Sequence, residues 1–139
     1  MAAPNPAPIF TIVPRIEVSQ LGDCSTSRES VSPTTIFTAG SNGTRVERVN
    51  VVSKTARGNT NTEQMIFLCI YDGSEWAILE EQLLLAVTPN DTVAASKITY
   101  NFAARGGLIL SSAAILGIGY RTYIGVDDDL YVTVEGGDF

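Results

Sequence analysis

An uninterrupted apolar run at residues 65–71, Met-Ile-Phe-Leu-Cys-Ile-Tyr, constrains the fold of this chain more than any other feature. A membrane-spanning helix needs about 20 apolar residues, so the run is too short to cross a bilayer. A β-strand with one face in water alternates apolar and polar side chains, and this run does not alternate. The run therefore predicts a strand that is covered by protein on both faces.

Three arrangements would cover the second face of this strand. It could lie between two sheets, it could pack against a partner subunit, or it could pass beneath a loop of the same chain. Charged residues make up only 17% of the chain, and this scarcity, together with an extended N-terminal arm, favours the partner subunit. The residues expected at that subunit interface are Met65, Phe67, Leu68 and Tyr71.

Short extended segments separated by turn signals account for most of the remaining sequence. The clearest alternation is in residues 97–102, where Ile98, Tyr100 and Phe102 are predicted to point inward. About eight to ten such segments follow one another at intervals of roughly a dozen residues, without a sustained helical period. This spacing predicts one all-β domain, either a sandwich or a barrel.

One predicted strand changes phase along its length. Val46 has one parity, whereas Val49 and Val51 have the other. A β-bulge near Glu47 and Arg48 would return all three valines to a single face.

Residues 75–87 are compatible with two kinds of secondary structure. Their leucines fit one face of a helix, but Leu83, Leu85 and Val87 also fit an alternating strand. The turn signal Asp72-Gly73 immediately before them is typical of a hairpin and favours the strand.

The charge and the residue types exclude several classes of function. The 139 residues include no histidine, which removes the usual general base and the commonest metal ligand. The net charge of −6 argues against a protein that follows nucleic-acid phosphates. The N-terminal sequence lacks the features of a signal peptide, and no apolar run is long enough to span a membrane. We therefore expect neither a nucleic acid nor a membrane as a partner.

No motif in the sequence predicts an active site or a metal site. The three aspartates at 127–129 offer calcium ligands, but they lack the EF-hand spacing, and a solvated acidic loop is the favoured interpretation. Glu80 and Glu81 are adjacent, and adjacent strand residues face opposite sides, which argues against the paired carboxylates of a glycosidase. We expect no catalytic residues, no cofactor and no metal.

Three other side chains allow two interpretations each. A disulfide between Cys24 and Cys69 is left open, although reduced thiols are favoured because the sequence shows no secretory context. Trp76 is the only tryptophan, and an exposed indole could stack on a sugar, but packing in the core is favoured.

Residues 1–8 are predicted to form an extended arm. Pro4, Pro6 and Pro8 fix their own φ angles and push the preceding residues toward extended geometry. The arm is either a disordered tail or a segment that contacts a neighbouring subunit or a capsid. Residues 9–139 then form the β-sandwich domain.

Residues 38–139 resemble small virion structural proteins of tailed bacteriophages. The resemblance lies in the stretches GSNGTRVERVNVVSKTARGNT, MIFLCIYDG, AVTPNDTVAASKITYNF and GGLIL, and in the closing VTVEGGDF. It implies a jelly-roll or related β-sandwich that decorates and cements the outside of a capsid. It also implies a homo-oligomer, with a trimer expected, a major capsid protein as partner, a position on the capsid surface after synthesis in the host cytoplasm, and no enzymatic activity.

Two further functions remain open at this stage. A phage tail or fibre-tip domain that binds a host surface glycan would use exposed aromatic side chains, with Trp76 and Tyr123 as candidates. A carbohydrate-binding or adhesion module outside any virus would use similar side chains. An enzyme that works with carboxylates alone is the least favoured function.

Overall fold

The computed structural model describes residues 13–22, 26–120 and 129–139. Within these ranges the chain forms nine β-strands and one 3₁₀ turn, η1 (Ala103–Arg105). The all-β expectation is therefore confirmed. The strands are β1 (Val13–Leu21), β2 (Thr34–Thr38), β3 (Thr44–Ser53), β4 (Gln64–Tyr71), β5 (Trp76–Leu84), β6 (Lys97–Asn101), β7 (Leu108–Leu110), β8 (Ile115–Tyr120) and β9 (Leu130–Asp138).

The strands form two antiparallel sheets that pack face to face around one hydrophobic core. One sheet has the order β1-β9-β3-β6, with the short β7 also paired to β3, and the other has the order β2-β8-β4-β5. The largest fully buried side chains come from both sheets: Tyr100, Tyr120, Phe37, Ile66, Leu68, Leu84, Leu110, Leu116, Ile118, Leu130, Val46 and Val49.

The strand pairing is nested in the way that defines a jelly roll. With β7 left aside, β1 pairs with β9, β2 with β8, β3 with β6 and β4 with β5. Contacts of β3 with β9 and of β4 with β8 join these four pairs into two sheets. A long hairpin folded over in this manner gives the eight-stranded, double Greek-key jelly roll. The β-sandwich expectation is confirmed. The strand order also identifies the jelly-roll topology, which sequence patterns do not distinguish from that of other sandwiches.

The phase change in β3 is a β-bulge, as predicted. The register against β9 shifts between Val46 and Arg48, which leaves Glu47 as the extra residue. The carbonyl of Glu47 accepts a hydrogen bond from the Phe102 backbone amide at 2.8 Å, so this carbonyl keeps a hydrogen-bond partner despite the bulge. As a result Val46 points inward together with Val49 and Val51, and all three are fully buried.

Residues 76–84 form a strand, so the preference for strand over helix is confirmed. β5 pairs with β4 along its whole length, because the hairpin turn after Tyr71 brings the chain straight back. A register shift opposite Leu68 and Cys69 leaves Leu79 as an extra residue on β5.

The predicted inward residues of β6 are buried, and one of them connects the two sheets. Ile98 and Tyr100 lie in the core, as does Phe102 just beyond the strand. The Tyr100 hydroxyl donates a hydrogen bond to the Ile66 carbonyl of the opposite sheet at 2.8 Å. Burial raises the pKa of this phenol, so it keeps its proton and remains a donor.

The strand β1 alternates in burial, but its apolar side chains face solvent. Ile16 and Val18 are 72% and 69% exposed, the reverse of the usual inward orientation in a sandwich strand. Arg15 instead points toward the neighbouring edge, where its guanidinium lies 4.2 Å from the centre of the Phe37 ring. It also donates to the Thr38 carbonyl at 3.0 Å.

Candidate functional site

The two faces of β4 have different neighbours, although both are buried. Ile66 and Leu68 point into the core between the sheets. Phe67 and Cys69 point away from that core, yet they are only 5% and 0% exposed. The apolar run is thus covered on both sides within a single chain.

The outer face of β8, next to β4, has no side chains at two positions. Gly119 pairs with Phe67 and Gly117 pairs with Cys69 in the sheet register. A Cβ atom at Gly119 would lie 2.5 Å from the Thr26 Oγ1 atom, closer than van der Waals contact permits. The two glycines therefore form a groove of bare backbone that other parts of the chain fill.

The segment at residues 26–33 fills this groove. The Thr26 amide donates to the Tyr120 carbonyl at 2.9 Å, which fixes one end of the segment to β8. At the other end, a Cβ atom at Gly117 would lie 3.0 Å from the Pro33 Cβ atom. We define residues 26–33 as the covering segment.

Two side chains from the β5 region complete the cover. The ring of Trp76 lies 2.9 Å from the position that a Cβ atom of Gly117 would take, and its centroid is 5.3 Å from that of Tyr71. Arg28 of the covering segment forms an ion pair with Glu81, which stands opposite Phe67 in the sheet. The indole of Trp76 is thus partly buried against this surface.

The predicted interface residues do not form one exposed surface. Leu68 belongs to the inner core, whereas Phe67 lies beneath the outer cover. Met65 and Tyr71 are half-buried at the two ends of the strand. Of the three arrangements considered from the sequence, the one seen in the chain is a strand beneath a loop. Contact of these residues with a further subunit stays a prediction.

Several residues singled out from the sequence lie outside the described ranges. The predicted capsid-contact arm is among them, as are one cysteine, one aromatic glycan candidate and two of the three clustered aspartates: Pro4, Pro6, Pro8, Cys24, Tyr123, Asp127 and Asp128.

The adjacent carboxylates of β5 face opposite sides, as predicted. Glu80 binds Arg105 at 2.8 Å, whereas Glu81 binds Arg28 on the other face of the sheet. All six arginines in the described ranges form such ion pairs, so little uncompensated positive charge remains on the sandwich. The six are Arg15, Arg28, Arg45, Arg48, Arg57 and Arg105.

A network of polar side chains connects three strands at one end of the first sheet. The Thr44 hydroxyl donates to Asp138 at 2.6 Å, and Arg15 binds the same carboxylate at 3.1 Å. These two interactions hold the pKa of Asp138 below its ordinary value. The network connects β1, β3 and β9 and has the character of a structural clasp.

The described ranges show no arrangement typical of a metal site or of a membrane-spanning helix. No group of three or more histidine, cysteine, aspartate or glutamate side chains there is placed to hold a metal ion. In the same ranges, no helix has the length and apolar character needed to cross a bilayer.

Two edge strands carry exposed apolar side chains that sequence reasoning missed. On β1 these are Val13, Ile16 and Val18, and on β5 they are Leu79 and Leu83. The alternation was visible in the sequence of β1, but a period of two does not tell which set of side chains faces the core. These two edges are the surfaces most suited to contact with another protein.

Comparison with known proteins identified no relative, since neither a family model nor a curated protein matches the chain.

Proposed function

We propose that the protein is a virion structural protein that decorates and stabilises a bacteriophage capsid as a homo-oligomer. The observation that carries the proposal is the exposure of apolar side chains along the edge strands β1 and β5. Long edge strands with exposed apolar residues are avoided in proteins that work alone, because they bind other chains. The expected number of copies is three, and the major capsid protein is the expected second partner.

The rest of the domain supports a structural role. A jelly roll is a common architecture of viral capsid proteins, although lectins and other proteins share it. Both faces of β4 are covered, which gives a thick and inert sandwich. A cement protein needs a stable shape and contact surfaces, and we assign no catalytic role to any residue.

The predicted arm at residues 1–8 is proposed to contact the capsid surface. Three prolines in eight residues reduce the conformational entropy that docking of an extended segment must overcome. The arm would add contact area without requiring a second core. After synthesis in the host cytoplasm, the protein would reside on the outside of the virion.

Co-sedimentation with capsids tests this proposal. Capsids are assembled from the major capsid protein encoded in the same genome, mixed with increasing amounts of the purified full chain, and pelleted. We expect saturable binding at a fixed ratio of copies to capsid subunits. Failure to bind both precursor and mature capsids would overturn the capsid role. The same capsids with an unrelated soluble protein of similar charge provide the control for trapping.

A further inference from the structure

The edge strands of the sandwich differ in what they expose. β1 and β6 are the ends of one sheet, and β2 and β5 are the ends of the other. β1 exposes three large hydrophobic residues and β5 exposes two, whereas β2 and β6 expose none. The short β7, which lies on the same side of β3 as β6, exposes only Ile109. Exposed apolar surface is thus concentrated on β1 and β5.

These two edges lie on opposite sides of the molecule. Arg15 of β1 donates to the Thr38 carbonyl of β2 at 3.0 Å, so β1 lies over β2. The side-chain amide of Gln82 on β5 donates to the Thr99 carbonyl of β6 at 2.8 Å, so β5 lies under β6. One copy therefore cannot bring its own β1 and β5 edges together, but two copies can.

The charges at the two edges are complementary. On β1 the side chain of Glu17 is 42% exposed, which makes it the more exposed partner of its ion pair with Arg15, at 21%. Beside β5 the guanidinium groups of Arg28 and Arg105 are 65% and 63% exposed, about twice as exposed as the carboxylates of Glu81 and Glu80 with which they pair. Contact of β1 with β5 brings opposite charges together, whereas contact of either edge with its own kind brings like charges together.

We propose that the β1 edge of one copy docks against the β5 edge of a second copy. The contact joins two different surfaces, so it is heterologous. Repeated heterologous contacts form a ring where the rotation between copies closes and an open filament where it does not, and the proposed assembly is the ring. Ile16 and Val18 would pack against Leu79 and Leu83, with Glu17 near the exposed arginines. The inference concerns self-association and does not depend on where the ring is attached.

Two charge-introducing variants test this contact without requiring knowledge of its register. Ile16→Lys disrupts the β1 edge only, and Leu83→Lys disrupts the β5 edge only. Both side chains are exposed, so the core should fold normally. Burial of a lysine at the centre of a protein interface weakens association by at least ~30-fold. Light scattering should therefore show that each variant alone is monomeric.

An equimolar mixture of the two variants gives the decisive result. The intact β5 edge of Ile16→Lys can bind the intact β1 edge of Leu83→Lys, so the mixture should form a dimer with one copy of each. Ile109→Lys is the matched control, because this residue is equally apolar and exposed but lies off both edges. It should keep the mass of the unaltered protein.

Two outcomes would overturn the proposal. If either variant forms dimers alone, the contact joins like edges and is not head-to-tail. If the mixture stays monomeric while the unaltered protein is oligomeric, the ring uses other surfaces.

Discussion

At the scale of single residues, the cover over the outer face of β4 depends on two glycines of β8. Gly117 and Gly119 leave the backbone bare where Trp76 and the covering segment lie against it. A strand with ordinary side chains at these positions would push the cover away and expose Phe67. Both positions require glycine because a side chain would collide with the groups packed against the strand, and not because the backbone angle is unusual.

Substitution of Gly119 by alanine should therefore destabilise the fold. Its Cβ atom would lie 2.5 Å from Thr26 Oγ1, so the covering segment must shift, at a cost of about 1–3 kcal/mol. Urea denaturation followed by the fluorescence of Trp76 measures this cost. Gly22→Ala is the control, because the nearest atom to its Cβ lies at an ordinary 3.5 Å. Equal stability of the two variants would show that the segment is not packed in the groove.

The clasp at Asp138 predicts a specific response to acid. The folded-state pKa of Asp138 lies below the ordinary value of 3.8, because Thr44 and Arg15 stabilise the carboxylate. A lowered pKa contributes stability at higher pH, and that contribution is lost as the pH falls through the folded-state pKa. The unaltered protein should therefore lose stability more steeply than Asp138→Asn between about pH 5 and pH 3. Parallel curves of the urea midpoint against pH would contradict this prediction.

At the scale of strands, the sequence patterns predicted the structure of single strands better than they predicted which side chains lie on the surface. The bulge in β3 followed from the parity of its valines, and the inward face of β6 followed from alternation. The orientation of β1 did not follow, because Arg15 is held inward by partners far along the chain, Phe37 and Asp138. The covering segment gave no signal either, since residues 26–33 are mostly polar and lack a period.

The hydrogen bond of Tyr100 to Ile66 gives a test of how the two sheets are joined. Tyr100→Phe keeps the ring but leaves the Ile66 carbonyl without this donor, which should cost about 1–3 kcal/mol. Tyr131→Phe is the matched control, because that tyrosine is exposed on β9 and should lose little. The free energies of unfolding in urea compare the two variants. A loss at Tyr131 that equals the loss at Tyr100 would argue against a role for the buried bond.

At the scale of the whole molecule, the folded sandwich is distinct from the surfaces by which we propose that it associates. Deletion of residues 1–8 should leave the melting temperature almost unchanged, because the first described strand begins at Val13. If the arm contacts the capsid, the same deletion should weaken co-sedimentation. Calorimetry and the capsid assay measure the two effects on one preparation. A large drop in melting temperature would instead make the arm part of the folded domain.

The most direct test of the central claim, that the edges of this domain bind further copies, is the solution mass of the unaltered protein. Light scattering after size exclusion should give a fixed multiple of 14.8 kDa, with three copies expected. The mass should stay constant on moderate dilution. A mass of 14.8 kDa at the highest attainable concentration would contradict both the head-to-tail contact and the oligomeric decoration protein.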